Sequence, residues 1–156
     1  MCGDLCPVNA ISFVEDKQGF WYPNINEKKC IRCNLCKERC PALNKKYEKY
    51  DLPQVYAAWS EDDEIRISST SGGAFWVIAS NFIKNDGVVV GCEYTEDWKA
   101  AKHVIIRTIN DLEKIKGSKY FQSDTEGIYG DVKKELVSGK QVIILFNLSW
   151  TFLCCI

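Results

Sequence analysis

Apolar and polar positions follow two regimes along the chain. Residues 1–43 are rich in cysteines and turn formers, and no regular apolar period runs through them. LNKKYEKYDLP, 43–53, is polar, charged and closed by a proline, which reads as a linker. Longer elements follow. VYAAW (55–59) suits a strand, and GGAFWVIASNFIKN (72–85) carries apolar residues at 74, 75, 77, 78, 79, 82 and 83, the mark of a helix with a broad buried face. GVVVGCEY (87–94) and KHVIIRT (102–108) read as strands of β-branched type. Asn110 is expected to cap a short helix ending at Lys116, with Glu113 as its capping-box partner. GSKYFQSD breaks that helix. EGIYGDVKKELVSG (126–139) is amphipathic, with apolar residues at 128, 129, 132, 136 and 137 and a glycine stop at Gly139. QVIILF follows as a strand, so the second unit is mixed α/β with at least three or four strands and three helices.

Composition supports two units. A chain of 156 residues holds one ordinary domain, or a small metal-stapled module plus a domain of about 100 residues. Its 20 basic and 21 acidic side chains are well mixed and leave a net charge of -1, which argues against nucleic acid or an anionic membrane as partner. No secretory signal stands at the N-terminus, and no apolar run reaches the roughly 18 residues of a membrane span. The expectation is a cytoplasmic chain.

Six of the nine cysteines fall in the first 40 residues, which favours a metal site over a disulfide scaffold. Cys92, Cys154 and Cys155 lie in apolar surroundings and receive no role. CIRCNLCKERCP places Cys30, Cys33, Cys36 and Cys40 before Pro41, the spacing by which a bacterial-type ferredoxin holds a 4Fe-4S cluster. Three thiolates on one tight loop cap three corners of a cubane, and the fourth turns toward a neighbouring cluster. Zinc is the competing reading, since four-cysteine tetrahedral sites also use C-x-x-C pairs; three cysteines at consecutive spacings before C-P favour iron and sulfur. CGDLCP, 2–7, aligns with CKERCP, 36–41, as the back half of a first motif. Because the fourth cysteines cross over, Cys6 is expected to complete the set Cys30, Cys33 and Cys36. Cys2 and Cys40 are left as two ligands of an incomplete second 4Fe-4S site.

SSTSGG (68–73) puts hydroxyls and small residues at a helix start, where free N–H groups favour a pyrophosphate; a plain N-cap by Ser71 is the competing reading. GSKYFQSD (117–124) offers a cation, an aromatic ring and hydrogen-bond donors, against the alternative of a solvated loop. His103 is read as an exposed or satisfied histidine, and Trp59, Phe75 and Trp76 as core. No residue is nominated as catalytic.

AAWSEDDEIRISSTSGGAF, GVVVGCEY, KHVII and above all IKGSKYFQSD resemble the beta-subunit family of coenzyme F-420 hydrogenases and dehydrogenases, in the bacterial branch that fuses two ferredoxin motifs to a flavoprotein domain. The resemblance covers roughly 1–146. It implies an α+β chain, a small bacterial-type ferredoxin module followed by an incomplete mixed α/β flavoprotein domain: a 4Fe-4S domain at 1–43, a linker at 44–54, the N-terminal part of the beta-subunit domain at 55–146, and an aberrant tail at 147–156. It implies electron transfer between 4Fe-4S clusters and FAD, in relatives onward to F-420, with a redox protein or soluble carrier as partner. The flavin set it implies is Ser71, Gly72, Gly73, Lys119, Tyr120, Gln122 and Ser123, with Lys119 foremost. Relatives continue past QVIILF with a glycine and a proline-cysteine pair, whereas NLSWTFLCCI departs, so a frameshift and truncation at both ends are expected, with turnover by this chain alone in doubt. The competing functions are a non-catalytic 4Fe-4S electron carrier whose second domain only docks a partner, and a structural zinc protein.

Overall fold

The computed structural model describes residues 2–40, 42–44, 54–120 and 122–145. The expected linker, but for its two end residues, and the expected tail lie outside the described residues, as do Cys154 and Cys155.

The first unit is built on turns. Helix α1 (Cys2–Leu5) leads into a hairpin of β1 (Ile11–Glu15) and β2 (Trp21–Ile25), and α2 (Leu35–Glu38) follows the cysteine loop. The strands pair antiparallel from Ile11 opposite Ile25 to Glu15 opposite Trp21. Asp16 sets the turn, since its carboxylate accepts from the N–H groups of Gln18 at 2.8 Å and Phe20 at 2.9 Å, and Gly19 supplies φ +85°. No alternating pattern announces this hairpin, because β2 is exposed along its whole length.

The second unit comprises α3 (Asp63–Ile67), α4 (Ala74–Lys84), β3 (Val88–Tyr94), β4 (Ala101–Ile106), α5 (Ile109–Ile115), α6 (Ile128–Val137) and β5 (Val142–Ile144). The sheet order is β4-β3-β5, with β3 antiparallel to β4 and parallel to β5. Central β3 is buried on both faces, which explains its unbroken run of valines. On one face Val89 packs with Ala79 of α4 and with Leu112 and Ile115 of α5; on the other Val90 meets Ile128 and Val132 of α6. The sheet is therefore sandwiched between α4/α5 and α6, and the chain as a whole is α+β.

Four readings change. VYAAW forms no strand: it is an exposed extended segment, fastened where the Ser60 N–H donates to the Gly72 carbonyl at 2.6 Å. Among the described residues no neighbouring strand supplies it a ladder. Trp59 is accordingly 65% exposed rather than core, while Phe75 and Trp76 do pack against the core. The cap of α5 is Thr108, whose hydroxyl accepts from the Asp111 N–H, so the helix starts one residue before Asn110. Ser71 does not cap α4; Gly73 does, at φ +79° and without a side-chain hydrogen bond. Among the described residues no helix is long and apolar enough to cross a membrane.

Candidate metal centre and cofactor surface

Cys6, Cys30, Cys33 and Cys36 line one cavity of about 430 Å³. Apolar walls come from Val8, Ala10, Ile11, Ile25, Ile31 and Leu35, supplied by the hairpin base and the cysteine loop. Two left-handed residues bend that loop around the space: Arg32 at φ 55° between Cys30 and Cys33, and Asn34 at φ 63° between Cys33 and Cys36. Non-glycine residues enter this region only at a conformational cost, which the surrounding turns sustain. The Ala10 N–H donates to the Cys6 sulfur at 3.2 Å, and the Arg32 N–H to the Cys30 sulfur at 3.4 Å. The N–H groups of Ala10 and then Val8 draw the Cys6 thiol below its ordinary pKa, which favours the thiolate that ligates metal.

Cys2 and Cys40 are half-buried but do not line this cavity. Burial pushes the Cys2 thiol up. Among the described residues no group of three or more His, Cys, Asp or Glu side chains is placed so that it could hold a metal ion. A zinc ion would draw its sulfurs to about 2.3 Å from one centre. Four cysteine thiols around one cavity are a donor set that an iron-sulfur cluster also fits.

In the second unit the structure brings the two candidate cofactor segments together. The Lys116 ammonium donates to the Ser68 hydroxyl at 3.0 Å and lies 4.9 Å over the Trp76 ring. Behind it, Gly117 adopts φ +81° beside Thr70. Gly72 presses on the 58–60 segment so closely that an added Cβ would stand 2.6 Å from the Ala58 carbonyl oxygen. Sequence reasoning nominated neither Lys116 nor Ser68 for the cofactor, although Ser68 opens SSTSGG and Lys116 lies within IKGSKYFQSD.

The remaining candidates divide. Tyr120, Gln122 and Ser71 are exposed. Lys119 is 1% exposed, and its ammonium points inward, donating to the carbonyls of Lys116 at 2.9 Å and Gly117 at 3.2 Å and lying 5.4 Å over the Tyr94 ring. Burial lowers its pKa. Ser123 is buried, its hydroxyl 3.0 Å from His103 Nδ1. That histidine is itself buried, and burial lowers its pKa. Cys92 is buried as expected, and burial raises its pKa.

Two family models match the chain. The 4Fe-4S dicluster domain matches residues 1–44, and the N-terminal domain of the coenzyme F-420 hydrogenase/dehydrogenase beta subunit matches residues 55–128. Comparison with curated proteins gives no match.

Proposed function

We propose that the chain, which matches the 4Fe-4S dicluster domain and the N-terminal domain of the coenzyme F-420 hydrogenase/dehydrogenase beta subunit in that order, is an iron-sulfur oxidoreductase chain that passes electrons between one 4Fe-4S cluster and FAD. The observation that carries the reading is the single cavity lined by Cys6, Cys30, Cys33 and Cys36, with Cys2 and Cys40 outside it.

When bound, a 4Fe-4S cluster supplies one-electron chemistry at a potential set by sulfur hydrogen bonds and solvent exposure. The chain's own residues hold and tune that site. Cys30, Cys33 and Cys36 contribute three thiolates from one loop, and Cys6 closes the set from beyond the hairpin. The N–H groups of Ala10 and Arg32 stabilise negative charge on two of the sulfurs, so each addition of an electron is eased. Ile11, Ile25, Ile31 and Leu35 give the cavity apolar walls.

Anaerobic reconstitution of the 156-residue chain should load about four irons and four sulfides. Cys6→Ser should remove the visible absorbance, whereas Cys2→Ser should leave it. Loading near eight irons, or colour that survives in Cys6→Ser, would sink the assignment.

The flavin half rests on the apposed segments 68–73 and 116–123. Serine hydroxyls, the start of α4 with no side-chain cap and Lys116 offer one surface to a pyrophosphate, and Tyr120, four residues after Lys116, is exposed for ring contact. Titration of the chain with FAD should quench flavin fluorescence, and Lys116→Gln should weaken binding roughly tenfold, the loss of one charge-assisted hydrogen bond. The inward-turned Lys119 amine favours the second reading, an electron carrier without flavin. Unchanged fluorescence at millimolar FAD would decide for it.

A further inference from the structure

The segment that carries Cys30, Cys33 and Cys36 bears a charge opposite to that of the chain as a whole, and its Arg32 and Lys37 line the cavity together with Glu27. Between residues 27 and 39 stand Lys28, Lys29, Arg32, Lys37 and Arg39 against Glu27 and Glu38, in a protein of net charge -1. All five cations are exposed, and none of them forms an ion pair among the described residues. Most other surface cations of the second unit are neutralised locally, as Lys114 is by Asp111, Lys134 by Asp131 and Arg107 by Glu135.

Their positions follow from the cysteine loop. Asn26 builds an Asx turn, its side-chain oxygen accepting from the Lys28 and Lys29 N–H groups, and so presents both lysines immediately before Cys30. Arg32 precedes Cys33, Lys37 follows Cys36, and Arg39 precedes Cys40. Each cation is thereby held within a few residues of a thiol. In their midst Cys33 is exposed, with Ile31 60% and Leu35 40% exposed beside it. An apolar centre above the electron site with a charged rim is the anatomy of a transient docking surface, in which the charges steer and orient and the apolar contact brings the redox centres close.

We propose that this face docks a small electron-transfer protein whose redox centre is ringed by acidic side chains. The proposal rests on the reading of the cavity as a 4Fe-4S site. One electron passes from the reduced partner to this site: the partner is oxidised by one electron, the site is reduced by one, and no bond forms or breaks.

The test uses the reconstituted full chain under anaerobic conditions, with dithionite as a small reductant and a reduced acidic ferredoxin as the protein probe. Bleaching by ferredoxin should be fast at low salt and slow at least tenfold by 0.5 M salt, since screening removes steering. The triple variant Lys28→Glu, Lys29→Glu, Arg39→Glu should keep its iron content and its bleaching by dithionite yet lose at least tenfold in rate with ferredoxin, with little remaining salt dependence. A variant as fast as the parent, a parent rate indifferent to salt, or a face that captures duplex DNA while ignoring ferredoxin would overturn the docking surface. A parent chain that stays colourless would overturn the cluster reading and the docking proposal with it, whereas a coloured, dithionite-reducible chain blind to ferredoxin overturns docking alone.

Discussion

Gly72 illustrates how a single position joins local geometry to the proposed cofactor surface. Its backbone carbonyl accepts from the Ser60 N–H at 2.6 Å, and the space where a Cβ would stand is filled by the Ala58 carbonyl oxygen and the Trp59 Cα. Those are backbone atoms, which cannot swing aside as a side-chain tip does. In Gly72→Ala the 58–60 segment must therefore move, loosening the turn from which α4 begins. The change should lower stability by about 1–3 kcal/mol, measured as a fall in the urea midpoint of the second unit, and should weaken FAD binding while leaving iron content intact. An unchanged midpoint would mean that the close approach does not constrain the loop. Alanine's better helix propensity does not offset this, because Gly72 precedes the helix. Lys119 gives the complementary lesson. Its motif marked it as functional, and its burial was invisible, because a lysine flanked by Ser118 and Tyr120 carries no pattern that separates an inward amine from an outward one.

At the scale of elements, legibility followed how local the cause of each element is. The cysteine loop was readable because three of its thiols are written into spacing on one short stretch, and the structure places Cys6 with Cys30, Cys33 and Cys36 around one cavity. Helices α4 and α6 were readable because each has a full apolar stripe and a clear stop: α6 ends at Val137, with Gly139 at φ +87° just beyond. Strand β3 announced itself by β-branched residues buried on both faces. VYAAW misled because a short apolar run with β-branched and aromatic residues reports a preference for extended backbone, whereas a strand also needs a partner, and among the described residues the backbone of this segment is fastened only next door, at Ser60 to Gly72. The β1/β2 hairpin escaped notice for the opposite reason: it has a partner but no buried face to leave a pattern. The start of α5 was offset because Thr108 and Asn110 are both acceptable caps, and only the geometry, with Thr108 and Asp111 bonded to each other, selects the earlier one.

Across the whole molecule the two units differ in what can hold them together. The second unit buries a sheet between helices, with Val88, Val89, Val90, Ile106, Leu112 and Ile115 all withdrawn from water. In residues 2–44, among those described, Ala10 is the one buried apolar side chain, while Phe20, Trp21, Tyr22 and Ile25 stand exposed. Burial of a single alanine side chain contributes about 1 kcal/mol, far below the entropy of ordering some 40 residues at about 1–2 kcal/mol each. The first unit therefore needs another source of cohesion, and the proposed cluster, held by four thiolates, would provide one, since metal binding to ligands that are scattered in the unfolded chain is itself folding free energy. Hydrogen exchange on the reconstituted chain, before and after anaerobic removal of iron with a chelator, should separate the units. Amides of 2–40 should lose their protection with the iron, whereas those of β3, β4 and α6 should keep theirs. Protection of the hairpin that survives complete loss of iron and colour would show that the first unit folds on its own, and the thiolate set would then be a passenger on a stable scaffold instead of its core.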